Sequence, residues 1–182
     1  GVCVYQWFSF GHVAFFDSGN LLNLAQRVGI LGIYAIGAGI VILSGGIDLS
    51  IGSVIGFVGV VVAMTCHAYG WNPWMVSIGV VVMCAGIGLW HGFLIGRFNL
   101  QPFVVTLCTL LLLRGLARGV SGGISQKIDG FGALGNGSFV GLPIPFWILV
   151  GIALVVSFFM NFTIYGRYWC AIGRNPAAAR YS

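Results

Sequence analysis

The apolar positions of this chain gather into long runs, most of them near the roughly 20 residues that an α-helix needs to cross a hydrocarbon layer. Leu21–Leu43, Ile51–Tyr69, Trp74–Ile95, Phe103–Val120 and Pro143–Phe162 each read as a helix. Gly1–Phe16 is apolar and aromatic but shorter, and reads as the end of a first span. Polar breaks fall between the runs. Asp17-Ser18-Gly19-Asn20 is a turn, and Asn20 or Asn23 suits the N-cap of the helix after it. Gly70-Trp71-Asn72-Pro73 is another turn, with Pro73 at a first helical position, where its missing N–H does no harm. The pattern predicts an all-α, polytopic transmembrane helix bundle of about five to six spans, with residues 1–182 in one domain.

One break is of a different kind. Ser44–Ser53 lies between the apolar runs Val28–Leu43 and Val54–Ala68, yet it carries Asp48, one of 3 acidic residues in the chain. A carboxylate inside lipid costs several kcal/mol unless it faces protein, water or the interface. Gly45-Gly46 loosens the preceding helix, and Asp48 or Ser50 is placed to cap the next one by accepting from its first free N–H groups. The segment reads as a helix end, a tight re-entry and a new start. Asp48 has two readings, a cap or arginine partner on one side and a gate or path-lining group on the other.

A few polar residues interrupt the runs. Arg27 and Arg118 lie near helix ends, where their stems allow the guanidinium to snorkel outward. Arg114 is deeper, so it faces protein or water, with Asp48 or backbone carbonyls as partners. Thr106 and Thr109 lie on the same run. His91 sits between Gly88 and Gly92, a spacing suited to close helix approach, and reads as a packing residue with one hydrogen bond or, alternatively, as a ligand. Residues 121–142 form the longest polar stretch, with Lys127 and Asp129, and are long enough to face a partner. Gly166–Ser182 is basic and amphipathic and reads as lying outside the membrane.

Composition agrees. Hydrophobic residues make up 59% and charged residues 6%, against about 25% charged in soluble domains. The net charge of +5 comes from basic residues scattered at the ends of apolar runs, which signals topology and contact with anionic lipid and gives no nucleic-acid surface. Arg97, Arg167, Arg174 and Arg180 fall on one side, which the positive-inside rule makes cytoplasmic; the 121–142 loop is then outside. The 5 cysteines are dispersed, form no CxxC pair and read as small apolar residues. The start at Gly1 and the stop at Ser182 in mid-pattern read as a fragment.

The chemistry present is sparse. No Walker A sequence occurs, so the chain does not cradle ATP by that means. No carboxylate pair and no metal-ligand set suggests a catalytic or metal site. A serine protease reading would need Ser53 beside His67 or His91; His67 lies about 20 Å from Ser53 along the helix at 1.5 Å per residue, which leaves His91. Asn175-Pro176-Ala177 is similar to half of the paired motif of aquaporins, and keeps a passive small-solute channel as the alternative class.

Five stretches, taken together and in order, resemble the permease subunits of sugar-importing ABC transporters of the ribose, xylose and arabinose type. They are Phe16–Leu24; Gly45-Gly46-Ile47-Asp48-Leu49-Ser50-Ile51-Gly52-Ser53; Gln101–Leu110; Arg114-Gly115-Leu116-Ala117; and Gly166-Arg167-Tyr168 with Ala171–Arg180. Cys108, Arg174 and His91 depart from the family's usual glycine, glycine and asparagine. The resemblance implies further spans beyond Ser182. It implies a transporter subunit with no ATPase site of its own and no cofactor, ATP being used by a partner. The implied partners are an ATP-binding cassette ATPase, a periplasmic sugar-binding protein, a second permease copy, the sugar and the lipid of the inner membrane. Carried onto this chain, Gly45, Gly46, Asp48, Ser50 and Ser53 are the signature and helix break. Thr106, Thr109 and Arg114 are candidates for the translocation path. Residues 166–182, with Gly166, Arg167, Gly173, Asn175, Ala178, Ala179 and Arg180, form the cytoplasmic loop that couples to the ATPase. Permeases for branched-chain amino acids share the architecture and are a further alternative.

Overall fold

A computed structural model describes residues 14–124, 131–175 and 179. Helix α1 (Ser18–Leu43) is followed by α2 (Ile51–Tyr69), α3 (Pro73–Phe98) and α4 (Pro102–Ser121). A short helix α5 (Gly132–Asn136) and a hairpin of β1 (Ser138–Phe139) and β2 (Leu142–Pro143) lead to α6 (Ile144–Phe162) and α7 (Ile164–Arg174). Five of these helices, α1 to α4 and α6, are long and apolar enough to cross a membrane. The expected all-α transmembrane bundle is what forms. The stretch read as the end of a first span lies mostly outside the described residues.

The helix boundaries follow local chemistry. α1 starts at Ser18, earlier than the apolar run alone suggests, so Asp17 and not Asn20 or Asn23 takes the capping position. Its Oδ2 accepts the Gly19 N–H at 3.2 Å, while Asn20 Nδ2 donates back to Phe15 O at 3.1 Å. α2 closes on Gly70 at φ +63, whose N–H donates to Cys66 O. α3 opens with Pro73 at N1 and with Asn72 Oδ1 accepting the Trp74 N–H at 2.9 Å. The polar stretch 121–142 holds more structure than a loop. β1 and β2 pair antiparallel, Ser138 with Pro143 and Phe139 with Leu142. Between them Val140 and Gly141 both have positive φ, the two-residue turn whose twist matches the strands.

The chain divides into two compact units, and α1 runs from one into the other. The first comprises the chain to Ile36 with Gly132–Thr163. There α1 meets α6 through glycine. Gly29 is buried, and a Cβ on it would stand 2.5 Å from the Pro145 backbone carbon. Gln26 Nε2 donates to Gly135 O at 2.6 Å, and Trp147 Nε1 to Phe139 O at 2.8 Å. The second unit comprises Gly37–Phe131 with the segment from Ile164 on. Its apolar centre is Val62 of α2 against Val76 and Val80 of α3, and α2 packs most extensively on α4. Large apolar side chains face outward, among them Leu89, Val81 and Val82 of α3, as expected of helices that lipid solvates.

Gly29→Val forces a side chain into the Pro145 backbone and is expected to cost about 1–3 kcal/mol. Gly37→Ala, on the same helix with nothing within 4 Å of a Cβ, is expected to change stability by less than about 0.5 kcal/mol. Thermal unfolding of the detergent-purified full-length protein compares the two.

The broken helix and its cavity

The site lies within the second unit and begins where α1 stops. Gly45 N–H donates to Ile42 O at 2.9 Å and Gly46 N–H to Val41 O at 3.1 Å. With Gly45 at φ +81 this is a Schellman closure, which only glycine adopts without strain. Ser44 Oγ adds a bond to Val41 O at 2.7 Å. The two glycines read as a break therefore end the helix by a defined geometry.

Residues Gly46–Ser50 have no regular structure, and α2 begins at Ile51. α2 has 19 residues and its antiparallel neighbour α3 has 26. The two are joined by a tight turn, so α2 stops about 10 Å short of the far end of α3. Irregular backbone fills that gap, and each of its polar groups needs a partner that lipid cannot supply.

Asp48 and Ser50 satisfy each other. Asp48 Oδ1 accepts the Ser50 N–H at 2.7 Å and the Ser50 Oγ–H at 2.6 Å. Ser50 is 1% exposed. The expectation that Asp48 or Ser50 caps the first turn of α2 is corrected here. Ser50 holds the N-cap position but makes no side-chain cap bond, because its hydroxyl donates to Asp48. The carboxylate acts one residue early and fixes the N-cap residue itself. Both bonds of Oδ1 go to Ser50, and Arg114 lies elsewhere, on the cavity described next. Ser53 Oγ donates to Ser50 O at 2.7 Å.

Two threonines of α4 take separate roles. Thr106 is 2% exposed. Its hydroxyl donates within the helix to Pro102 O at 2.9 Å and reaches Ile47 O of the broken segment at 3.3 Å. Thr109 Oγ1 is 3.1 Å from Val105 O and hydrogen-bonds with His91 Nε2 at 2.8 Å. His91 is thus a buried packing residue with a hydrogen bond that ties α3 to α4, as its glycine-rich surroundings suggested. With Ser53 bonded to Ser50 and His91 to Thr109, the pair that a serine protease requires does not form.

A cavity of about 370 Å³ opens beside the start of α2. Leu49, Ser53, Gly56 and Phe57 line one wall, and Leu110, Arg114 and Ala117 the other. The signature and the deep arginine, 61 positions apart in the chain at Ser53 and Arg114, meet on it. Small-molecule sites run from roughly 300 to 1,000 Å³ and combine apolar walls with a few placed polar groups. A guanidinium, a serine hydroxyl and a phenyl face are such a set.

α7 closes the site from the side of α1. Trp169 Nε1 donates to Ile40 O at 2.8 Å, and Gly173 is pressed so closely against the Leu43 carbonyl that any side chain there would collide. Gly166 is buried, and Arg167, Arg174 and Asn175 are exposed. Asn175 N–H donates to Ala171 O, and Ala179 N–H to Asn175 O, both at 3.0 Å. Ala178 and Arg180 lie outside the described residues. Reasoning from sequence passed over Trp169 and Phe57. The signal for Trp169 was an indole N–H in an amphipathic stretch, which needs an acceptor.

The model of one family, "Branched-chain amino acid transport system / permease component", matches residues 20–182. The chain belongs to that permease family. The ribose import permease protein of Escherichia coli (strain K12) is 34% identical over 92% of this chain and 54% of its own length. The L-arabinose transport system permease protein of the same organism is 34% identical over 88% and 49%. The autoinducer 2 import system permease protein of Klebsiella pneumoniae is 37% identical over 84% and 48%. This permease chain thus spans about half the length of the curated relatives it matches. No solved structure matches it. Membership agrees with the sugar-permease resemblance and with a multi-pass membrane protein.

Asp48→Ala removes both bonds from buried Ser50 and is expected to lower stability of the permease by about 1–3 kcal/mol. Asp48→Asn keeps an acceptor oxygen and is expected to recover most of that. Equal losses in the two variants, read by thermal unfolding, would mean that the charge itself and not the acceptor matters.

Proposed function

We propose that this chain is the first part of a permease subunit that carries a sugar across the inner membrane by alternating access, driven by a separate ATP-binding cassette ATPase. The observation that carries the reading is the 34% identity over 92% of the chain to a ribose import permease, supported by a second relative named for arabinose. A permease for branched-chain amino acids shares the family description, but the sugar and autoinducer relatives favour a polyhydroxylated cargo.

The geometry is consistent with this. A neutral sugar needs hydrogen bonds and apolar contact and no counter-charge. In the cavity Arg114 offers a planar fork of N–H donors to neighbouring hydroxyls, Ser53 contributes its hydroxyl oxygen, and Phe57 offers an apolar face to C–H groups. Thr106 and Thr109, expected on the path, are not among the residues that line the cavity; they hold Ile47 and His91. Residues 166–182 are the docking segment for the ATPase, with Arg167 and Arg174 exposed on α7 and small alanines beyond it. Arg97, at the end of α3, and the α7 arginines support a cytoplasmic side for this end by the positive-inside rule. A periplasmic sugar-binding protein delivers the cargo on the other side, and a second permease copy completes the pathway. No cofactor resides in the chain, ATP being hydrolysed on the partner.

Purification of the full-length parent in mild detergent tests the reading. An ATP-hydrolysing partner is expected to come with it, and to be lost when Ala178 and Ala179 are replaced by glutamate. A parent that purifies alone and passes small solutes in liposomes without ATP would sink the permease reading in favour of a channel. Within the ATP-driven complex, Arg114→Leu is expected to cut sugar uptake by about tenfold, the scale of one charge-assisted hydrogen bond, with the ATPase still bound.

A further inference from the structure

The contacts of α7 reach further than docking. Thr163 is extended at φ −112 and ψ 157, so α7 is not a continuation of α6 and takes its position from what it touches. It touches the last turn of α1 twice. The indole of Trp169 reaches a carbonyl 129 positions earlier in the chain, Ile40 O. That oxygen also receives the Ser44 N–H at 3.3 Å, so the indole occupies its second lone pair. Four positions along α7, Gly173 lies against the Leu43 carbonyl, and the Gly173 oxygen is 3.4 Å from where a Cβ of Gly45 would be. This second contact is backbone on backbone, with no flexible side chain between.

The turn held by α7 is the one that closes on Gly45 and Gly46 and leads into the Ile47–Ser50 segment. Thr106 holds the near end of that segment at Ile47 O, and Asp48 holds the far end at buried Ser50. Close-packed groups pass displacement on and do not absorb it. A shift of α7 along its axis therefore moves Leu43–Gly46, and strains or relaxes the irregular segment that lines the cavity at Leu49.

We propose that Trp169 and Gly173 are positioning residues that fasten the cytoplasmic segment to the end of α1, so that movement imposed on α7 is delivered to the broken helix at the cargo cavity. The proposal deepens the permease reading and rests on it for the source of the movement. It assigns Trp169 to transmission and not to partner binding because its indole N–H is turned to Ile40; the ring itself is exposed, as are Arg167 and Tyr168 beside it.

The test uses Trp169→Phe, which keeps an aromatic ring and removes the donor, in the full-length permease. Hydrogen exchange of the Ser44–Ser50 amides, read on the permease alone, is expected to quicken by about fivefold, the scale of one lost hydrogen bond. In the complex in liposomes, the ATPase is expected to stay bound and to hydrolyse within about twofold of the parent, while sugar moved per ATP falls by about fivefold or more. Gly173→Ala is expected to act in the same direction and more strongly; Trp169→Phe decides if that variant does not fold. Unchanged exchange with unchanged coupling would overturn the proposal, and so would loss of the ATPase from the Trp169→Phe complex, which would make Trp169 part of the docking face. If the parent itself retains no ATPase, the permease reading fails instead, and the exchange measurement still decides whether Trp169 fastens the two segments.

Discussion

The structure of the second unit depends on one constraint: a helix interrupted inside an apolar bundle must still satisfy its backbone. The last carbonyls of α1 and the first amides of α2 have no intrahelical partners, and lipid offers none. The chain meets this with short-range devices. Two glycine amides fold back on Val41 and Ile42, a carboxylate binds the backbone and hydroxyl of Ser50, and a threonine of α4 reaches Ile47. What they stabilise is a stretch of irregular chain about 10 Å within one end of the bundle, with a cavity at its side.

Small residues and hydroxyls make these contacts, and charges make few of them. Gly29 admits the backbone of Pro145, and Gly173 admits that of Leu43. His91 and Thr109 join α3 to α4 through a neutral bond. Dispersion and close approach hold membrane helices together where the hydrophobic effect between them is absent. Arg114 lines the cavity in a bundle built this way.

The two functional regions inferred from sequence, the signature and the basic cytoplasmic segment, are neighbours in space. More than a hundred residues separate Gly45 from Gly173 along the chain, yet their backbones touch. The basic segment is thereby one backbone contact from the turn that leads to the cavity.

Much of this was legible in the residues. Apolar runs of membrane-spanning length located α1 to α4 and α6 within a few residues, because hydrocarbon demands internally bonded backbone and a continuous apolar run of that length meets the demand as a helix. Gly45-Gly46 marked the break, since only glycine accepts the left-handed turn a Schellman closure needs. His91 between two glycines was read as a packing residue or a ligand; it is buried and bonded to Thr109. Other features depended on neighbours that no local pattern names. The start of α2 was read correctly at Ile51, but α1 begins at Ser18, three residues before the apolar run, and Asp48 binds Ser50 itself and not the first turn of α2. Whether Arg114 faced Asp48 or a cavity, and which carbonyl the Trp169 indole would find, were settled by packing alone. Sequence by itself determined where the chain crosses the apolar layer and where it must break. Only the tertiary structure decided which distant backbone closes on that break, because contacts between segments depend on how helices pack and not on the local preferences that set each helix.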